Sequence, residues 1–166
     1  MVEGEKRMTI GKTQKTVLII IVAVAAFILI KYLLVSDEAR ITKVIYKGKA
    51  AIEKEDFEGA LTNVSRDYQD DYGLNKMAIA ALLKRLYAQF DDITIHVESI
   101  DVKIMESGLG QAALLTWVTA KLGGETGYIV GNAENPSRVI FILAKEGEQW
   151  RVVKSEGVEP VEGLWL

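Results

Sequence analysis

The chain has 166 residues, no cysteine, one histidine and a formal net charge of −3, which argues against a disulfide-built fold, a lipidated cysteine anchor and a histidine-rich metal centre. Five of the 20 basic and two of the 23 acidic residues precede Ser36, so residues 36–166 carry 15 against 21, a net of −6. That balance argues against a nucleic-acid partner, which needs a basic face, and against a polybasic grip on anionic lipid.

Residues 1–16 form a short basic tail, with Lys6, Arg7, Lys12 and Lys15 against Glu3 and Glu5. Residues 17–30 then read VLIIIVAVAAFILI, and after Lys31 the apolar run resumes through residues 32–35. At about 1.5 Å per residue, a helix over residues 17–35 is about 28 Å long, close to the ~30 Å of a bilayer core. Lys31 sits near one end, where its stem can lie in hydrocarbon and its ammonium among headgroups. A buried core helix would keep a polar face, and this run has none. A cleaved leader would be followed by a small-x-small site, which KYLLVSDEAR lacks. The reading is a retained signal anchor, one transmembrane helix at 17–35. Basic flanks stay cytoplasmic, so the tail is expected in the cytoplasm and residues 36–166 outside it, in the periplasm if the host is a bacterium. Arg40, Lys43, Lys47 and Lys49 on the far flank weigh the other way.

Residues 36–166 suffice for one domain with its own core. Residues 38–54 read as an amphipathic helix, with Ile41, Val44, Ile45 and Ile52 opposite Arg40, Lys43, Lys47 and Lys54, running on from the span as one rod. Residues 56–64 read as a short second helix around Phe57 and Leu61. After the turn-rich SRDYQDDYG, Asn75 is a natural N-cap for a third helix over 76–90, with the stripe Ile79, Leu82, Leu83, Leu86 and Phe90. The period then switches to two at Ile93, Ile95 and Val97. It slips at Ser99, as a bulge would make it, and continues through Ile100, Val102 and Ile104. Gly108 and Gly110 mark a turn. Residues 111–122 are a long strand, apolar on both faces and therefore central. A glycine-rich connection over 123–136 leads to a strand at 138–145, a turn at 146–148 and a last strand at 149–155.

Three helices followed by a curved antiparallel sheet make an α+β layer. Two stretches, DFEGALTNVSRDYQDDYGLNKMAIAALLKRL and FILAKEGEQWRVVKSE, resemble the nuclear transport factor 2-like superfamily over about residues 38–160. This is the cystatin-like cone, shared with SnoaL-like proteins, ketosteroid isomerase and scytalone dehydratase. The resemblance implies that the transmembrane helix read at 17–35 is followed by a cone-shaped domain of three helices packed on a curved antiparallel sheet. Superfamily members include enzymes, small-molecule binders and membrane-anchored scaffolds of secretion machinery, so the fold does not decide the function.

No motif here carries catalysis on its own. The acidic cluster Asp67, Asp70 and Asp71 fails as a calcium loop: counted from Asp67, the sixth residue is Tyr72, Gly73 is seventh and the twelfth is Ala78. It reads as a turn with acids favoured at a helix start. His96 reads as an ordinary strand residue, since no nucleophile elbow accompanies it. Gly11-Lys12-Thr13 echoes the end of a P-loop but lacks the earlier glycine and a preceding strand. Asn63-Val64-Ser65 is a glycosylation sequon. No metal and no cofactor is expected. Ketosteroid isomerase uses an Asp base with a Tyr and a protonated Asp as donors in an apolar cavity. The resemblance therefore makes Asp67, Tyr68, Tyr87, His96 and Asp101 the side chains to look for in the cone, with Trp117 as a wall. None aligns with a catalytic position.

Two functions are expected from these features. The first is a non-catalytic, membrane-anchored binding or assembly domain, working as a homodimer or within a membrane-protein complex, because the central strand is apolar on both faces. The second is a small-molecule binder or an isomerase- or dehydratase-like enzyme, taking a small apolar ligand into the cone. A buried acid beside a tyrosine in an open apolar pocket would favour the second, and a cone filled by Trp, Phe and Leu would dismiss it. The apolar end Gly163-Leu164-Trp165-Leu166 is expected to dock on the domain, a partner or a membrane surface.

Overall fold

The computed structural model describes residues 12–33 and 36–157, which fall into two units divided after Ser36. Most of the basic tail and the apolar end at 163–166 lie outside the described residues. In the first unit, α1 (Lys12–Leu33) is a single helix of 22 residues. Its described side chains on the apolar run, Val17 and residues 19–28, are all exposed. Among the described residues, no helix is long and apolar enough to cross a membrane. The side chains of 29–35, which complete the apolar run in the sequence, fall outside that count. Ser36 is not helical, and the next helix begins at Asp37.

The second unit contains α2 (Asp37–Glu53), α3 (Phe57–Thr62), α4 (Lys76–Gln89) and strands β1 (Asp91–Ile104), β2 (Gly110–Leu122), β3 (Glu125–Val130), β4 (Ser137–Glu146) and β5 (Gln149–Glu156). The helix starts obey local chemistry. Asp37 and Glu38 place acids in the first turn of α2. Asp56 caps α3 by accepting from Gly59 N at 2.9 Å, and Asn75 caps α4 by accepting from Ala78 N at 3.0 Å. The chain turns to extended backbone at Phe90, and Asp91 already pairs with Lys121.

The antiparallel sheet runs β1-β2-β4-β5, with β3 also paired to β2. β2 is central, as expected. One edge pairs with β1; the other pairs with β4 over 110–116 and with β3 over 118–122. The strand β3 is a correction to the glycine-rich connection read from the sequence. Gly123 and Gly124 turn the chain with φ of 60° and 92°, and the next residues, which include the β-formers Thr126, Tyr128, Ile129 and Val130, pair back on β2. The bulge expected at Ser99 is present, with Glu98 as the extra residue between the Val97 and Ser99 pairs. The free edge of β5 is met by the segment after α3: Ser65 N donates to Val152 O at 2.9 Å and Gln69 N to Val153 O at 3.0 Å, which satisfies backbone that would otherwise template pairing.

Two apolar clusters lie between the helices and the inner sheet face. One gathers Ile41, Ile45, Tyr68, Ala112, Leu114, Leu143, Trp150 and Val152; the other gathers Phe90, Ile93 and Ala120. Both clusters and every strand pair lie within the second unit, which therefore holds its own core. Ile41, fully buried, rests over Gly110 beside Trp150, where a Cβ would overlap the Ile41 side chain. At the start of α2, the Asp37 carboxylate accepts from Trp150 Nε1 at 3.1 Å and Lys145 Nζ at 3.2 Å. The Trp150 hydrogen bond first, then that of Lys145, holds the Asp37 carboxyl below its ordinary value.

Ile41→Ala removes buried methylenes and leaves a void, so urea denaturation should show a loss of about 2–5 kcal/mol. Asp37 has its acidity raised by folding, so its contribution is present at neutral pH and is lost as pH falls through its folded value, below the ordinary ~3.9. Urea midpoints measured across acidic pH should therefore fall less steeply for Asp37→Asn than for the natural chain.

Candidate functional site

Between α4 and the inner face of the sheet is an open cavity of about 400 Å³, within the range of about 300–1,000 Å³ typical of ligand pockets. Its walls come from α2 (Ile45, Ile52), from the α4 stripe Ile79, Leu82, Leu83 and Leu86, and from the inward residues of the strands, among them Ile95, Val118 and Phe141. None of the α4 stripe residues is fully buried: all four border this space, although Ile79 and Leu86 also pack against the two clusters. The wall is almost wholly apolar. Its polar side chains are Lys49, Asn63, Tyr68, Thr116 and Ser155.

Most of these are already engaged. Lys49 Nζ holds both Glu53 carboxylate oxygens, at 2.6 and 2.7 Å, and Glu53 Oε1 also accepts from Ile95 N at 2.8 Å. Thr116 Oγ1 donates to the His96 carbonyl at 2.6 Å. Asn63 is buried, and its amide donates to Gly59 O at 3.0 Å, which closes the sequon to modification in the folded chain. Tyr68 and Ser155 share a hydroxyl–hydroxyl hydrogen bond of 2.6 Å, and Tyr68 Oη lies 3.3 Å from Asp70 Oδ2. Burial, with the Asp70 charge adding to it, holds the Tyr68 phenol above its usual value, against the opposing Ser155 bond. The hydroxyl is therefore protonated at neutral pH, with its one proton directed at Asp70 Oδ2.

Of the six side chains expected in the cone, the structure places Tyr68 there. Asp67 is exposed on the turn. The outer face of the sheet carries His96 and Trp117, whose rings stack with centroids 5.0 Å apart; their neighbours Ile95, Val97, Thr116 and Val118 take the inner positions by strand alternation. Asp101, beyond the Glu98 bulge, is exposed, since Ile100 and Val102 face the core. Tyr87 packs against the second cluster, its buried hydroxyl without a hydrogen-bond partner and raised by burial, then by Glu55 and Asp56. Lys49, Thr116 and Ser155 were missed. Lys49 had a readable signal: it lies four residues after Ile45 and three before Ile52, inside the apolar stripe, with Glu53 at the helical pairing distance.

The acidic cluster is a structural turn. Asp70, 8% exposed, accepts from Tyr72 N at 3.0 Å and Leu74 N at 2.9 Å, while Asp71 pairs with Lys154 at 2.9 Å.

No family model matches the chain, and no curated relative matches its sequence. Solved structures do resemble it. A candidate aromatic ring hydroxylase from Novosphingobium aromaticivorans shares 13% identity, over 75% of this chain and 90% of its own, with a TM-score of 0.61. A candidate scytalone dehydratase from the same organism shares 10% identity, over 73% and 87%, with a TM-score of 0.60. A nuclear transport factor 2-like protein with a cystatin-like fold, also from that organism, shares 18% identity, over 84% and 95%, with a TM-score of 0.57. At such identities the likeness establishes the fold alone: an α+β cone of the nuclear transport factor 2-like, cystatin-like kind.

Asp70 and Asp67 separate a buried from an exposed acid on one turn. Asp70→Ala should cost about 1–3 kcal/mol by removing the acceptor of two part-buried N–H groups, whereas Asp67→Ala should stay within about 0.5 kcal/mol in the same denaturation assay.

Proposed function

We propose that residues 37–166 bind a small, predominantly apolar molecule in the cone, and that one membrane span at 17–35 holds this domain at a bilayer with the N-terminus cytoplasmic and the domain outside. The open cavity carries the first part. A cone evolved only for packing would be filled at interior density; here four apolar residues of α4 line empty space. The apolar run taken whole, 17–35, supports the second part. The described side chains of α1 cover only a portion of that length.

Binding is favoured over turnover because the wall carries an ammonium, an amide and three hydroxyls but neither a carboxylate nor an imidazole. One observation supports an enzymatic second reading: a protonated tyrosine in an apolar cavity with a buried carboxylate behind it. In that reading Tyr68 is the general acid, and Asp70 orients its hydroxyl. The homodimer expected from β2 would use the outer sheet face, where Leu115, Trp117, Ile140 and Ile142 stand half-buried.

Native mass spectrometry of residues 37–166 examines these together. Retention of N-phenyl-1-naphthylamine, a neutral apolar fluorophore, is expected, and Leu83→Trp, which fills the cavity, should abolish it. A folded domain that takes up no fluorophore would overturn the ligand reading. The mass of the ligand-free species reports the dimer directly.

A further inference from the structure

The polar groups of the cavity sit at two separated places, and each donor has a carboxylate behind it. Ser155, bonded to Tyr68, pairs with Phe141, which pairs with Ala112 on β2. Glu53, which holds Lys49, accepts from Ile95 N, and Ile95 pairs with Val118 on β2. The two polar ends therefore lie at levels six residues apart along β2, about 20 Å at about 3.3 Å per residue. The other polar side chains of the wall are Asn63, which gives one amide N–H to Gly59 O, and Thr116, whose hydroxyl is spent on the His96 carbonyl.

The charges behind the donors restrict what can bind. An ammonium has three N–H groups, and the two Glu53 contacts leave one. A ligand oxygen reaching it also meets the Glu53 carboxylate. At the other end, the hydroxyl pair offers a donor when Tyr68 gives its proton to Ser155 and Ser155 turns its own to the ligand, but Asp70 lies 3.3 Å from Tyr68 Oη. An anion at either end would stand beside an existing negative charge in surroundings that screen it poorly. A carbonyl, ester or ether oxygen would accept the same hydrogen bonds without that repulsion.

Resting on the proposed ligand reading, we infer that the cavity takes an elongated, uncharged, lipid-like molecule with an acceptor oxygen at each end and an apolar body between. The Lys49–Glu53 pair is a charge filter: its ammonium supplies the hydrogen bond and its carboxylate turns anions away.

The test is displacement of N-phenyl-1-naphthylamine from residues 37–166 by dimethyl hexadecanedioate and by hexadecanedioate near neutral pH. Because any apolar cavity prefers an ester to its dianion, the deciding arm is Glu53→Gln, whose amide oxygen can still accept from Ile95 N. This variant should bind hexadecanedioate about tenfold more tightly, as an unmasked cation would, and the diester within about twofold of the natural domain. An equal effect on both compounds, or on neither, overturns the filter. If Glu53→Gln does not fold, Lys49→Met, which keeps the stem and removes the donor, should weaken the diester about fivefold; unchanged affinity overturns it equally. Failure of the fluorophore to bind would remove the ligand reading and this inference together, whereas fluorophore binding without the charge effect removes the inference alone.

Discussion

The contact on which the domain depends is the seating of α2 against the sheet. Ile41 lies over Gly110 because no side chain stands between helix and strand there, and Trp150, at the opening of β5, closes the space beside it while bonding Asp37 at the head of the helix. This contact joins the first element of the domain to the first residue of β2 and to the last hairpin. It brings sequence-distant parts together, so its energy comes from apolar burial, about 1.5–3 kcal/mol per large side chain, while the Asp37 hydrogen bonds choose the angle at which the helix enters.

With α2 packed close, α4 is the element that stands off. α3 and the turn at 65–75 carry the chain around the edge of β5. Asp70 stiffens that turn by accepting two N–H groups, and Lys76 Nζ is bonded to Val64 O at 2.7 Å. From there α4 presents its leucines and Ile79 to the sheet across a gap. The cavity is thus a consequence of how two helices are seated at different depths over one curved sheet. Its chemistry is set by the few polar groups left on its wall: a masked ammonium at one end and a hydroxyl pair at the other. The same turn that positions α4 also places Asp70 behind Tyr68, so the stability of the turn and the character of the phenol are linked.

The outer face of the sheet has a different composition from the inner one. β2 alternates Ala112, Leu114 and Thr116 inward with Ala113, Leu115 and Trp117 outward. An apolar strand with helices on one side only leaves the second face half-buried, and the stacking of His96 on Trp117 covers part of it. Solvent exposure of such a face has a cost that association would relieve.

Much of the fold was legible in the chain because its signals are local. The cap at Asn75, the helical stripe of α4, the two-residue alternation of β1 and its slip near Ser99 all depend on neighbours within a few residues, and each has its counterpart in the structure. β3 was masked by its glycines, since Gly123, Gly124, Gly127 and Gly131 lie in and around the β-formers Thr126, Tyr128, Ile129 and Val130, and only pairing with the far half of β2 makes the segment a strand. Tyr68 could be named as a cavity residue, but Asp67, His96, Asp101 and Trp117 could not be assigned to a side. The face a strand residue takes depends on which face the helices cover, and the bulge at Glu98 reverses the alternation from Ser99 onward. The sequence by itself determined the element order, the net acidity of the domain and the apolar run at 17–30 that resumes after Lys31. Only the tertiary structure decided that the cone is open and that Lys49, Ser155 and Tyr68 share its wall, because an empty space is a property of how helices are seated over a sheet and leaves no mark on any one segment.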